Sequence, residues 1–409
     1  MPGKHVSLLS IFIFGFFLFF ASADTFQNAW GYPGMIAYGV VILVSLYISH
    51  KFILPWIMPK LTDRHGLILG AASLVILFAI FMILFPIAER RAEVGMGSDS
   101  DDALNIAGIE MVAGRYPYYP LTYHGNEIIP FPGAVLLALP FIVVLGTSAY
   151  QVFLWLAAYF FMLRYLFKSA VDAFFLCATM IVLSVVFMQN ITTGTDRVPN
   201  TIFVLFSMWW MVRSITDPEA PLWKKILSSV LAGFAFASRS NFLPLTPLLF
   251  SILWQNAGWK EAFKYCAIVG LVVLGLVVPF WLYDPAGFAP IHIQYQKVAQ
   301  FNEILPYSGL ITPLGTVLIA AVLSFQRMTK DYIIFFRNCA IVQLFPILLS
   351  TILVSIKGGR VDMIFSQYGI FSLLFIAIPV WWHLVYGRPY WGSEAEPEPP
   401  AQDLEAAPA

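Results

Sequence analysis

Long apolar runs recur along almost the whole chain, and they constrain the fold more than any other feature. Hydrophobic residues make up 59% of the sequence and charged residues 11%, whereas a typical soluble domain carries about 25% charged residues. The mean hydropathy is +0.78. We therefore expect an all-α polytopic membrane protein, because helices satisfy their own backbone hydrogen bonds inside a bilayer.

Twelve of the runs are predicted to span the membrane, and one more, at 131–146, is ambiguous. It fits either a further span or a helix at the outer interface, and the second alternative leaves both termini inside. The first run follows Lys4 and ends in Ala21-Ser22-Ala23, so a cleaved signal peptide is open, although a retained signal-anchor is favoured. The approximate limits of the twelve are 6–23, 35–57, 67–86, 149–167, 170–188, 200–213, 226–238, 243–255, 264–283, 313–325, 335–356 and 366–386.

The distribution of basic residues favours the twelve-span arrangement. With 131–146 at the interface, 15 of the 23 Lys and Arg residues fall in cytoplasmic segments, as the positive-inside rule requires. These residues are Lys4, Lys51, Lys60, Arg64, Arg164, Lys168, Arg213, Lys224, Lys225, Lys260, Lys264, Arg327, Lys330, Arg337 and Arg388.

On this topology the polar residues collect on the non-cytoplasmic face. The span interiors carry almost no charge, whereas transporters and pumps place ionisable groups near the bilayer midplane. This distribution predicts a site at the membrane surface. The segments of the non-cytoplasmic face are 87–148, 189–199, the turn at Arg239, 284–312 and 357–365.

The net charge of the chain is zero, which gives no reason to expect nucleic acid as a partner.

Three aspartates, Asp99, Asp101 and Asp102, stand just before a short helical pattern. One aspartate would suffice to cap a helix and to favour its dipole. Three close carboxylates repel one another, which raises the pKa of at least one and leaves a group able to accept a proton. We expect the cluster to be catalytic, with Asp101 and Asp102 slightly ahead of Asp99 and the assignment among the three left open.

The aspartates lie in the first large outer loop and are followed by the motifs Gly114-Arg115-Tyr116-Pro117-Tyr118 and Pro130-Phe131-Pro132-Gly133. This pattern resembles the C-type (GT-C) integral-membrane glycosyltransferases, in particular the family 87-like enzymes that depend on polyprenyl-phosphate sugars. A Gly194-Thr195-Asp196 loop, the segment 233–239 ending in Ser-Arg, and Asp284-Pro285 agree with it. The resemblance covers about 67–300.

The resemblance implies that a sugar, mannose or similar, moves with inversion from a polyprenyl-phosphate carrier to a hydroxyl of a lipid or glycan acceptor. One aspartate of the cluster would be the general base, and cations or backbone amides would hold the departing phosphate. The candidate phosphate partners are Arg197, Arg239, Lys357 and Arg360, with a possible amide nest at 358–359. The residues expected to shape the remaining substrate site are Tyr118, Tyr119, His124, Asn126, Glu127, Asp196, Asp284 and His292.

No cofactor is expected to be required. A divalent metal held by Asp101, Asp196 and His292 stays open, although no ligand spacing demands one. The expected location is the bacterial inner membrane, with the active site on the periplasmic or outer face.

Four divisions of the chain are predicted. They are N-terminal spans at 1–66, a catalytic module at 67–300, C-terminal transmembrane helices at 301–390, and a tail at 391–409. The tail is acidic and rich in Pro and Ala, so we expect it to be disordered and cytoplasmic.

Two other functions fit the same composition. A transporter or flippase of lipid-linked glycans would need charges near mid-membrane, and Asp172 and Arg239 are the only candidates near span interiors. A ligase or polymerase of lipid-linked glycans would favour a large outer loop late in the chain, and segment 284–312 is of modest size.

Overall fold

The computed structural model describes residues 7–93, 99–329 and 332–387, with only the backbone given for residues 92 and 93. These residues form helices and turns without a β-strand, so the predicted all-α class is confirmed. The tail predicted at 391–409 lies outside the described residues. The α-helices are α1 (Leu8–Ile48), α2 (Leu54–Ile57), α3 (Asp63–Glu93), α4 (Ser100–Val112), α5 (Pro132–Leu145), α6 (Gln151–Phe167), α7 (Ala170–Leu183), α8 (Val185–Thr192), α9 (Arg197–Thr216), α10 (Leu222–Phe236), α11 (Thr246–Ala257), α12 (Trp259–Tyr283), α13 (Ala289–Ala299), α14 (Ser308–Ser324), α15 (Ile333–Gly358) and α16 (Ile370–Tyr386).

Within the described residues, six helical segments are long and apolar enough to cross a membrane, or seven if the bent pair α7–α8 forms one span. Large apolar side chains on α3 and α12 face outwards, and Val75 and Leu271 are each 69% exposed. Such surfaces suit lipid rather than water, so the chain has the architecture of a helical membrane protein. The six segments are Leu8–Lys60, Asp63–Arg91, Ser148–Phe167, Trp259–Tyr283, Ile333–Gly358 and Ser366–Tyr386.

The first of these segments folds back on itself at Gly31. This residue has φ +66° and ψ −163°, a conformation that only glycine adopts without strain. The two halves of α1 then pack side by side, because the rings of Phe26 and Tyr38 stack with centroids 3.8 Å apart. The chain therefore passes through the bundle twice before α2.

The break between α7 and α8 has a local cause in Ser184. The axes of the two helices differ by 91°, and Ser184 takes an extended conformation between them. Its side chain caps the amide of Phe187 at 3.4 Å and lies 3.3 Å from the hydroxyl of Ser22 in the first half of α1. Serine is a favoured N-cap because its oxygen satisfies an amide that has no partner in the first turn.

The main core contains residues from Ile11 to Trp382, and a second, smaller apolar cluster packs α4 and α5 around Leu104, Val135 and Phe288. Helix α16 lies at the centre of the main core, and 78% of the most apolar stretch of its segment is buried. It packs against α1, α9 and α15. The last described helix thus contacts helices from the beginning, the middle and the end of the described chain.

Most helix connections gather at two opposite ends of the bundle. We call one the loop end; it comprises residues 24–32, 99–131, 193–197, 237–241, 284–308 and 357–367. Contacts between these segments include Tyr32 Oη to the Val361 carbonyl at 2.9 Å and Arg197 Nη1 to Gln367 Oε1 at 2.8 Å. At the opposite end, Arg164 pairs with Asp63 at 2.8 Å.

Candidate functional site

Three carboxylates meet at the loop end, where the last turns of α3 approach the start of α4. One oxygen from each of Glu89, Asp101 and Asp102 lies within 4.8 Å of the others. Asp101 is 0% exposed and Asp102 4% exposed. No hydrogen-bond donor among the described residues reaches either carboxylate oxygen of Asp101.

The crowding changes the protonation of Asp101. Burial, followed by the charges of Glu89 and Asp102, raises the pKa of Asp101 to about 9. Glu89 lies close enough to share a proton with it. The raised pKa that we predicted for one aspartate of the cluster is therefore found at Asp101, and this carboxyl holds a proton at neutral pH when nothing else neutralises the cluster.

Asp99 has a different environment from its two neighbours. Its Oδ2 accepts hydrogen bonds from Thr122 Oγ1 at 2.5 Å and from Asn126 Nδ2 at 2.8 Å. Burial acts to raise the pKa of Asp99, but these hydrogen bonds outweigh it and the pKa is lowered. It stands at the N-cap of α4 without capping that helix through its side chain. Asp99 is thus ionised, half-buried and tied to the turn at 122–126.

A buried ion pair lies at the same end of the bundle. Arg239 Nη2 lies 2.5 Å from both carboxylate oxygens of Asp196, and its Nε lies 3.0 Å from Oδ2. Asn200 Nδ2 donates a third contact to Asp196 at 2.8 Å. The side chain of Arg239 is 11% exposed and that of Asp196 is 0% exposed. Arg239 Nη1 has no hydrogen-bond acceptor among the described residues.

Close packing connects the cluster of Glu89, Asp101 and Asp102 to the Arg239–Asp196 ion pair. Gly194 lies against Ala149 and Phe85, so closely that a Cβ on it would be 2.5 Å from the Ala149 Cβ. The preceding Ser148 Oγ contacts the Asp101 carbonyl at 3.5 Å. Phe85 lies one turn before Glu89 on α3. The loop that carries Asp196 therefore packs beside the residues that flank the carboxylate cluster.

The start of α5 fixes the turn that carries Arg239. The amide of Phe131 donates to the Ser238 carbonyl at 3.1 Å, and that of Gly133 donates to the Ala237 carbonyl at 2.8 Å. Pro132 begins the helix at a position where its missing N–H costs nothing. The Pro-Phe-Pro-Gly motif thus brings α5 onto the backbone just before Arg239.

The residues predicted to shape a sugar site are spread over this end and play different roles. Tyr118 is buried, and its hydroxyl donates to the Pro130 carbonyl at 3.2 Å, whereas Tyr119 is 58% exposed. Glu127 pairs with His292 at 3.1 Å. Asp284 accepts from two amides of its own turn, at 286 and 287. His124 contributes a buried Nε2 that has no hydrogen-bond partner in the described structure.

The remaining predicted cations also belong to the loop end. Arg197 stacks on the ring of Tyr368 at 4.6 Å, next to the Gln367 that it contacts. Lys357 Nζ donates to the Gln300 carbonyl at 2.9 Å. Arg360 is exposed. Of the four predicted phosphate partners, Arg197 and Arg239 have their guanidinium groups near aromatic rings, and Arg239 lies 5.7 Å from the ring of Phe371.

The metal-ligand set considered from the sequence is not assembled. Asp196 pairs with Arg239, and His292 pairs with Glu127. The group that could hold a metal ion among the described residues is instead Glu89 with Asp101 and Asp102. Glu89 was missed because it ends an apolar run beside two arginines and looks like an interfacial charge. Its position at the end of the span leading into the aspartate loop was the available signal.

A cleft lies away from these residues. It has a volume of about 910 Å³ and lies at the opposite end of the bundle, with Arg164, Lys168 and Arg213 among its lining residues. None of the residues predicted to be functional lines it.

Comparisons of this chain with family models, with curated proteins and with solved structures find no match. The resemblance to the GT-C enzymes therefore rests on the motifs themselves.

Proposed function

We propose that this protein is an integral-membrane glycosyltransferase of the GT-C type. It would move a sugar from a polyprenyl-phosphate carrier to an acceptor hydroxyl at the loop end. One observation carries the proposal: the aspartate cluster and the buried Arg239–Asp196 pair lie at the same end of an apolar helical bundle, joined through Gly194 and Ala149. A base for the acceptor and a cation for the phosphate are the two groups that such a transfer needs.

In the proposed reaction the acceptor oxygen attacks the anomeric carbon of the sugar on the face opposite the phosphate. The new glycosidic C–O bond forms as the bond from the anomeric carbon to the phosphate oxygen breaks, which inverts the configuration. The acceptor proton passes to an aspartate, and the bonding electrons leave with the polyprenyl phosphate. The leaving group is a stable anion, so the protein need not supply a strong general acid.

Asp99 is the best candidate for the base. It is half-buried rather than enclosed, and Thr122 and Asn126 orient it. Asp101 is fully buried. Asp99 is ionised at neutral pH and can therefore accept a proton, whereas Asp101 already holds one. In this assignment Asp101 and Asp102 do not take the proton, and they influence the geometry and the charge around Asp99.

The membrane topology belongs to the same proposal. We propose twelve helical passages that alternate between the loop end and the opposite end: the two halves of α1, the bent pair α7–α8, the longer helices α3, α6, α9, α12, α15 and α16, and the shorter helices α10, α11 and α14. Helices α4, α5 and α13 would then lie at the outer interface. This arrangement and the distribution of basic residues support the proposal that the loop end faces the periplasmic or outer side of a bacterial inner membrane.

A transporter or flippase is less well supported. The two charges that it could use both lie at helix ends and both have protein partners. Asp172 is in the first turn of α7 and accepts from Tyr386 Oη at 2.9 Å. Arg239 precedes a short 3-10 helix and binds Asp196. Neither group lies in the middle of a helix, where a permeation pathway would place it.

The test is a transfer assay with three single variants, Asp99→Asn, Asp101→Asn and Asp102→Asn. Purified protein in detergent is given radiolabelled polyprenyl-phosphate sugars and a membrane lipid extract, and labelled acceptor is counted. Asparagine keeps the shape of aspartate but cannot take a proton. Asp99→Asn should lower turnover by about 10²–10⁴-fold, the usual contribution of a general base.

The matched control is Asp63→Asn, which removes an exposed carboxylate at the opposite end. It should leave turnover unchanged. If all three aspartate variants transfer sugar at the parental rate, the proposed mechanism is wrong. If the parent moves labelled lipid across a liposome membrane without forming labelled acceptor, the protein is a flippase.

A further inference from the structure

Two members of the carboxylate cluster, Glu89 and Asp101, have no opposite charge beside them among the described residues. With Asp102 they place three acidic groups so that one oxygen of each lies within 4.8 Å of the others, and Asp101 is completely enclosed. Buried charges in proteins are normally paired or bound to a metal ion, because transfer out of water is costly. Neither carboxylate oxygen of Asp101 has a hydrogen-bond donor among the described residues.

No cation of the described chain compensates Asp101 or Glu89. Neither residue takes part in a salt bridge with a described residue, and Asp101 is acted on by two acidic groups and by no basic one. Arg90 and Arg91 follow Glu89 in sequence, but both are exposed. Residues 94–98, which lie between the two arms of the cluster in sequence, are Val-Gly-Met-Gly-Ser and include no basic residue.

We propose that Glu89, Asp101 and Asp102 bind one divalent cation. Each supplies a carboxylate oxygen, and the separations of up to 4.8 Å suit three ligands around one ion with metal–oxygen distances of about 2.0–2.6 Å. The ion supplies the positive charge that Glu89 and Asp101 lack among the described residues, and it gives a buried oxygen of Asp101 a partner.

The ligand chemistry defines the class of ion. Three carboxylates without histidine or cysteine form a hard, all-oxygen site, which suits Mg²⁺, Mn²⁺ or Ca²⁺ better than Zn²⁺ or Cu²⁺. Such ions keep open positions for water or for the oxygens of a substrate. The site lies beside Asp99, so a bound ion would be next to the proposed base.

The experiment measures ion binding and needs neither donor nor acceptor. The full chain in detergent is stripped with EDTA, dialysed, and titrated with Mn²⁺ while free Mn²⁺ is followed by electron paramagnetic resonance. The parent should bind one Mn²⁺, which excess Mg²⁺ or Ca²⁺ displaces. Asp101→Asn and Glu89→Gln should each weaken the affinity by at least about 10-fold, since loss of even an outer-shell partner costs about 10–100-fold.

The control is Glu110→Gln, which removes a carboxylate from the same helix, α4, where it pairs with Arg115 at 2.6 Å. Its Mn²⁺ affinity should equal that of the parent. Thermal melting supplies a second measurement: at the same Mn²⁺ concentration the Tm of the parent should rise more than that of Asp101→Asn. Asp101→Asn should still fold, because asparagine keeps the shape of the side chain and adds no charge to the cluster.

Two outcomes would overturn the site. One is a parent that binds no Mn²⁺, which means that protons alone neutralise the cluster. The other is equal binding by the parent, Asp101→Asn and Glu89→Gln. Because binding and transfer are measured separately, a protein that binds Mn²⁺ but transfers no sugar would refute the proposed function and leave the ion site standing.

Discussion

The Arg239–Asp196 pair is a structural contact to which the proposed mechanism adds a chemical role. Two donors of the guanidinium, Nε and Nη2, hold the buried carboxylate. The third nitrogen, Nη1, is left available to an anion. Removal of one partner from a buried pair leaves an uncompensated charge, which destabilises a protein by about 3–5 kcal/mol. A loss of activity in a single variant is therefore not evidence of a chemical role by itself.

A pair of substitutions separates the two roles. Arg239→Gln and Asp196→Asn should each lower the free energy of unfolding by about 3–5 kcal/mol. The double variant should lose much less than the sum, because two neutral amides replace two charges. The measurement is denaturant unfolding in detergent. Arg239→Lys should keep part of the transfer activity, because it retains the charge and loses the planar fork.

The double variant decides whether Arg239 binds phosphate. It should fold but use the donor poorly, with a sharply raised KM for the polyprenyl-phosphate sugar. Parental turnover at parental KM in this variant would show that the arginine serves only to neutralise Asp196.

Sequence reasoning located these residues better than it described their contacts. The charges near Arg239 and at 99–102 were noticeable because apolar surroundings make any charge conspicuous. Their partners were not, because Asp196 and Arg239 are 43 positions apart and nothing local indicates that they meet. Glu89 was missed for the same reason, since its role depends on the path of the chain between α3 and α4.

At the scale of elements, the contact of α5 with the turn before Arg239 depends on a glycine. A Cβ on Gly133 would lie 2.4 Å from the Phe234 carbonyl oxygen and 2.6 Å from the Ala237 carbonyl carbon. Both are backbone atoms, so they cannot rotate away as a side chain would. The approach of these two elements is therefore possible only without a side chain at 133.

Gly133→Ala should push α5 away from residues 234–237 and displace Arg239. We expect a loss of about 1–3 kcal/mol in the free energy of unfolding, the usual cost of overpacking, together with lower transfer activity. Melting temperature and turnover measure the two effects.

Gly270→Ala is the matched control because Gly270 lies within α12 and has no heavy atom within 4 Å of its Cβ position. It should raise stability slightly, since alanine favours a helix interior over glycine by about 1 kcal/mol. A stable Gly133→Ala variant with parental activity would show that α5 can move freely and does not position Arg239.

The helices could be predicted from the sequence wherever hydropathy alone determines where a helix lies. All twelve predicted runs overlap helices of the structure within its described residues. The bend at Ser184 was not expected, because the run 170–188 is apolar throughout and the bend depends on a side-chain cap and on a contact with Ser22. The hairpin at Gly31 lies in the gap between two predicted runs, where a turn was required.

At the scale of the whole molecule, the two ends of the bundle should face different compartments. Single cysteines placed in a cysteine-free background can test this. Tyr123 and Gln296 are exposed at the loop end, and Glu219 is exposed at the opposite end. In intact cells an impermeant thiol reagent should label Tyr123→Cys and Gln296→Cys and spare Glu219→Cys, which should react once the cells are opened.

Labelling of only one of the two loop-end cysteines in intact cells would contradict the twelve-span topology. So would labelling of Glu219→Cys before lysis. The choice of Tyr123 and Gln296 avoids the glycines of the same loops, because Gly125 has φ +73° and a Cβ on Gly287 would lie 2.5 Å from Asp284.

The central place of α16 has a consequence for how the protein is made. Translation delivers helices to the membrane in order, so α1 to α15 are inserted before the helix that they surround has left the ribosome. Until then its position among α1, α9 and α15 must be filled by lipid or by neighbouring helices, and Arg197 lacks Gln367, which immediately precedes α16. The loop end is therefore complete only after residues 366–386 have been synthesised, and a chain that stops before α16 forms a bundle without its central helix.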